Sequence, residues 1–248
     1  MITRQEGAMM RVWKGHLYAR LDEIMLMLGA ELVFFAVGEL MFTLVAKTQG
    51  LDGSVIPIGT LCALMAAVTI AVFMGIGVLP VHFNMAVSMG ITRNRFIPVF
   101  LLVSFAENLA AAGVAFLFSF PETWVLRAVY AGVKLESFTG YVFQWKYILT
   151  ACLGLAALHV FFGMLLMRLG KIAWTVLWLL WMACAVGGPG LARLAESMQE
   201  TAFGKLCAAV LDMVRGFTES GILAGIVIAS VVMIAASWGM LYRQEVKM

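Results

Sequence analysis

The sequence predicts an all-α membrane protein, and three observations carry that prediction. Of its 248 residues, 63% are hydrophobic and only 12% are charged, whereas a soluble domain holds about 45–50% apolar and about 25% charged residues. The apolar residues gather into six runs, each close to the roughly 20 residues that a helix needs to cross the hydrocarbon core. Prolines stand at the edges of these runs, where a helix tolerates them best. A water-soluble globule could not hide so much apolar surface, so the excess is expected to face lipid.

The elements follow in chain order. The stretch "MMRVWKGHLYARLDEI" sets Met10, Trp13, Leu17, Leu21 and Ile24 at spacings of three and four, with Arg11, Lys14, Arg20 and Asp22 on the other faces. That pattern predicts an amphipathic N-terminal helix lying in the inner headgroup layer. The six spans are expected at about 24–46, 57–80, 97–120, 147–167, 170–188 and 221–241. Pro57 and Pro80 bracket the second, Pro98 and Pro121 the third, and Pro189 closes the fifth. The first run is long enough to span and lacks a small-x-small cleavage pattern, so it reads as an anchor and not as a removed signal.

Between the fifth and sixth spans, "GKLCAAVLDMVRGF" places Leu206, Val210, Met213, Val214 and Phe217 on one stripe. With "LARLAESM" before it, this predicts outer amphipathic helices, since a structureless loop of about 30 residues is uncommon. The 121–146 loop carries Trp124, Tyr130, Tyr141, Phe143 and Trp145, an interfacial aromatic belt. The whole chain, 1–248, is expected to form a single transmembrane domain.

Orientation follows from the basic residues. With a cytoplasmic N-terminus, ten lie inside, including Arg20, Arg93, Arg95, Arg168, Lys171 and Arg243, and seven lie outside on longer segments. The positive-inside rule therefore puts both termini in the cytoplasm.

Several chemistries are excluded. The formal net charge of +3 has no basic face, so nucleic acid is not an expected partner. No phosphate loop of the form G-x-x-x-x-G-K-[ST], no H-E-x-x-H and no G-x-S-x-G occurs. The chain is not expected to be an enzyme in its own right, nor to hold a metal. Cys62, Cys152, Cys184 and Cys207 are far apart and read as small packing residues. Gly221 and Gly225 form a single G-x-x-x-G, read as a helix-packing contact.

The ionisable residues inside the runs remain. Glu31 and Glu39 lie in the first, Glu107 beside Asn108 in the third, and His159 in the fourth. Such groups cost about 2.5–3.5 kcal/mol near the bilayer centre and therefore face a cavity, a partner or one another. Glu31, Glu39, Glu107 and Asn108 are candidates for a translocation path, or for hydrogen bonds that hold helices together. Eight helical steps of about 100° leave Glu31 and Glu39 about 80° apart, on one broad face but not stacked. No basic residue occupies a run centre to pair with them.

The segment between the second and third spans, "VHFNMAVSMGITRNRFIPVF", is more elaborate than a loop requires. "HFNMAVSM" predicts a short helix ended by Gly90, and Thr92 is placed to cap a new helix bearing Arg93 and Arg95. An ordinary loop with headgroup-anchoring arginines would explain the charges equally well. The run Gly90, Ile91, Thr92, Arg93 resembles the "G-[IV]-[ST]-R" start of the third span in the permease subunits of ABC-2-type exporters. The general plan is similar too: an amphipathic N-terminal helix, six spans, cytoplasmic termini and outer helices before the last span.

That resemblance implies a short cytoplasmic coupling helix, with Phe83, Asn84, Val87, Ser88, Gly90, Ile91, Thr92, Arg93 and Arg95 engaging a partner. It implies a separate ABC ATPase chain that binds ATP and magnesium, no cofactor on this chain, and a second permease in a homodimer or heterodimer. It further implies a bacterial cytoplasmic membrane location. The small size is similar to exporters of antimicrobial or amphipathic peptides, of the phenol-soluble-modulin or lantibiotic-immunity kind. The alternative left by the residues themselves is a proton-coupled secondary transporter using the intramembrane carboxylates.

Overall fold

A computed structural model describes residues 20–49, 54–88, 92–130, 134–135, 140, 142–182, 201, 205 and 216–242. Among these, six helices account for nearly all the structure: α1 Leu21–Gln49, α2 Ile58–Ser88, α3 Arg93–Val129, α4 Trp145–Leu169, α5 Lys171–Met182 and α6 Glu219–Tyr242. All but α5 are long and apolar enough to cross a membrane. The fold is therefore all-α, as the composition predicts. The two-residue strands β1 Ser54–Val55 and β2 Lys134–Leu135 pair in parallel at one end of the bundle.

The helices α2, α3 and α4 form the packed interior, while α1 and α6 lie at the periphery. On α1 the buried residues Met27, Glu31, Gly38 and Phe42 make a single stripe, spaced as one helix face requires. Leu32, Val33, Leu40, Met41 and Leu44 point away from the bundle. Ile228, Val231 and Val232 do the same on α6. Apolar faces of this extent are stable only against lipid or another apolar surface, which makes this a multi-pass membrane protein.

The two ends of the bundle are built differently. At one, Leu79, Phe83 and Ala86 of α2 meet Phe96, Ile97 and Phe100 of α3, Val160 and Met164 of α4 and Leu241 of α6 in a closed core. At the other, Phe42 packs on Leu126, with Ile58 and Tyr130 beside them. The beginning of α1 and the end of α6 thus share the first end. A tight turn joins α4 to α5 there. Gly170 sits at φ 57, ψ −128, a conformation that a side chain would strain, and its N–H donates to the Leu166 carbonyl.

The prolines correct one expectation. Pro57 does precede α2, but Pro80 lies inside α2, and Pro98 and Pro121 lie inside α3. Within a helical bundle the carbonyl freed by a proline finds other partners, so the residue does not end the helix. A second correction follows. The segment 82–88 is no separate crosswise helix, because α2 runs unbroken to Ser88. The expected fifth span is described only over Lys171–Met182. The amphipathic N-terminal helix before Arg20, Gly90 and Ile91, and nearly all of the outer helices, lie outside the described residues.

Candidate functional site

The most polar part of the interior gathers where α1 begins. Arg20, just ahead of α1, is 3% exposed. Its guanidinium reaches Glu107 Oε2 at 2.7 Å through Nη2 and Glu23 Oε2 at 3.1 Å through Nε. Nη1 donates to Ser104 Oγ at 2.9 Å, and the group lies 4.9 Å from the centre of the Phe100 ring. Five donors in a flat fork suit arginine to this triple contact, which lysine could not reproduce. Glu23 also faces His82, whose Nε2 stands 3.5 Å from Glu23 Oε1.

These residues close around a cavity of about 20 Å³, bordered by Arg20, Glu23, Glu107, Asn108, Gly75 and His159. That is room for one water. His159 is buried against α2 because Gly75 leaves it space: a Cβ at Gly75 would lie 2.5 Å from the imidazole. The sequence placed no basic residue within the runs, and here the structure differs. The cation comes from outside the run, and the helix start carries it inward to the third-span carboxylate.

A second polar centre sits at the opposite end. Glu122 of α3, 3% exposed, accepts from the backbone N–H groups of Gly59 at 2.8 Å and Thr60 at 2.7 Å. The Thr60 hydroxyl donates to it as well. A carboxylate from a different helix therefore caps the start of α2, where unpaired N–H groups and the helix dipole favour negative charge. Glu39 of α1 lies within hydrogen-bonding reach of Glu122.

The four path candidates are thus divided. Glu107 and Asn108 belong to the Arg20 centre, Glu39 to the Glu122 centre, and Glu31 to neither. Glu31 is fully buried on the packed stripe of α1, and neither carboxyl oxygen has a hydrogen-bond partner among the described residues. Arg20, Glu23, Ser104, His82 and Glu122 were not singled out by sequence. Only the three-residue spacing of Arg20 and Glu23 hinted at a pair, and nothing local linked either to α3.

The residues around the α2–α3 turn also separate. Phe83 is fully buried in the core, so it is not surface for a partner, and Val87 packs against the same cluster. Asn84, Ser88, Thr92 and Arg95 are exposed. Thr92 is the N-cap residue of α3, as expected, but its hydroxyl makes no capping bond. Its carbonyl instead accepts from the Arg95 and Phe96 N–H groups. Arg93 begins α3, and its side chain lies outside the described residues.

Fold and interior together define a helical multi-pass membrane protein with an ion-paired centre inside the bundle. Comparison with protein-family models, with curated proteins and with solved structures gives no match.

Proposed function

We propose that this chain is the permease subunit of an ATP-driven ABC exporter, taking its energy from a separate ATPase chain on the cytoplasmic side. Amphipathic or antimicrobial peptides are the substrate class that the resemblance in plan and size suggests. The single observation that supports this best is the α2–α3 hairpin. At 31 and 37 residues, the two helices run about 46 and 55 Å, well beyond the roughly 30 Å of hydrocarbon. That excess is long enough for their joined end to reach beyond the hydrocarbon, as a coupling segment requires.

One side of that end carries Phe83, Ala86, Phe96 and Phe100, packed into α4 and α6. The other presents Asn84, Ser88, Thr92 and Arg95 to solvent. A partner gripping the polar side would move both helices as one body, because the aromatic side leaves no slack. ATP-driven closure of two ATPases would in this way tilt the spans and switch access between the two faces of the membrane. Two permeases, alike or different, would flank the path.

A proton-coupled transporter would need a carboxyl free to load and unload. Of Glu31, Glu39 and Glu107, the last is held by Arg20, which leaves Glu31 and Glu39 for that role.

The test begins with whether an ABC ATPase gene adjoins the gene for this chain, and proceeds to reconstitution of the two proteins together. Asn84→Ala together with Arg95→Ala should lower ATP-dependent export at least tenfold, while the protein remains folded and basal ATP hydrolysis persists. Export driven by a proton gradient with no ATPase present would overturn the proposal, as would full ATP-dependent export by the double variant.

A further inference from the structure

A larger cavity of about 200 Å³ lies between α2, α3 and α4, on the far side of Asn108 from the Arg20 centre. Its walls are apolar: Val68, Ala111, Phe143, Ala151 and Cys152 are among them. Small side chains on facing helices are what leave the space. A cavity of about 150 Å³ lined by aliphatic and aromatic groups stays dry and takes up benzene, so this one has room for a substituted ring or a short length of acyl chain.

Tyr147 lines the mouth, and the polar group deeper in the lining is Asn108. Asn108 is 5% exposed, and its Nδ2 has no hydrogen-bond partner among the described residues. A buried amide donor left without an acceptor is costly, and a carbonyl that met the Asn108 amide where this residue borders the cavity would recover that cost. There is also an entrance. Val142, Tyr147 and Ala151 are shared with an open groove between α4 and α6, lined further by Thr150, Ile222 and Ile226. The groove opens on the side of the bundle where Ile222 and Ile226 of α6 are exposed.

We propose that this cavity binds a small apolar molecule, or one apolar tail, that carries a carbonyl acceptor for Asn108 and enters through the α4–α6 groove. The site lies within a single chain, and it stands whether or not an ATPase drives the protein. The ester of a bilayer lipid and a dissolved carbonyl compound share the required chemistry.

Acetophenone, a ring with one carbonyl, is a suitable probe, and ethylbenzene is its counterpart without an acceptor. Binding would be measured by ligand-observed NMR on the full chain in nanodiscs, one set made from ester-linked and one from ether-linked phospholipid. Saturable binding of acetophenone is expected, about tenfold weaker in Asn108→Leu and abolished by Ala151→Phe, which fills the mouth. Ethylbenzene binding should be indifferent to Asn108→Leu. Weaker acetophenone binding in ester-linked discs would assign the site to lipid, and equal binding in both would assign it to dissolved compounds. Uptake that never saturates, or that survives Ala151→Phe in a folded protein, is partition into the bilayer and overturns the proposal. Should Asn108→Leu fail to fold, the Ala151→Phe comparison decides alone.

Discussion

Arg20 shows how much one side chain decides. By sequence it is one more basic residue ahead of a span, suited to the headgroup layer. In the structure it is buried with Glu107, Glu23 and Ser104 around it. Removing one partner of a buried pair leaves the other charge uncompensated, at a cost of about 3–5 kcal/mol, whereas replacing both with apolar groups of similar volume is often neutral. Arg20→Met and Glu107→Leu should therefore each be strongly destabilising in detergent unfolding, and the double variant should recover most of the loss. Additive losses would mean that the two side chains do not interact.

Glu31, Glu39, Glu107 and Asn108 all lie in apolar runs, yet they do not gather at one place within the chain. Helical spacing fixes the face that a residue occupies, but not which neighbour covers that face. Glu31 and Glu39 both lie in α1, yet only Glu39 reaches Glu122.

At the scale of elements, the start of α2 depends on a residue 62 positions away. Glu122 substitutes for the local capping side chain that helices commonly use. Glu122→Ala should destabilise the protein by about 2–3 kcal/mol, since it strips charge-assisted bonds from buried N–H donors. Glu122→Gln, which keeps one acceptor oxygen, should lose less. Thermal unfolding of both variants would measure the difference, and an unchanged midpoint in Glu122→Ala would remove the cap from the account of α2.

The prolines teach a related lesson. In a water-exposed helix, a proline beyond the first turn is a sound boundary marker. Inside this bundle Pro80, Pro98 and Pro121 are all passed by continuous helix, and the helices are longer than the apolar pattern predicts. Gly221 and Gly225 also differ from expectation. A Cβ at Gly225 would meet nothing within 4 Å, and one at Gly221 only Thr218 and Phe217 of its own segment, so among the described residues this pair packs against no other helix.

For the molecule as a whole, the alternation of faces is the property most open to test. Single cysteines at Ser88 and Arg95, in a background with the native cysteines replaced, should react with an impermeant thiol reagent from one side of the membrane. Cysteines at Thr48 and Arg127 should react only from the other side. Labelling of Ser88→Cys and Thr48→Cys from the same side would rule out the arrangement of α1 to α3. The same labelling in inverted and right-side-out vesicles would show which face is cytoplasmic.

By itself the sequence determined that the chain enters a membrane as helices, because apolar excess and run length are sums over residues that need no knowledge of contacts. It also located the five long helices, although α2 and α3 run on to Ser88 and Val129, well past the expected ends at 80 and 120, and it marked the 83–95 segment as unusual. Only the tertiary structure decided that Arg20 pairs with Glu107, that Glu122 caps α2, that Phe83 turns inward while Asn84 turns out, and that Asn108 divides a water-sized cavity from an apolar one. Each of these depends on which helix lies against which. In lipid that choice is made by close packing and by buried polar groups seeking partners, and neither is written in the periodicity of any single run.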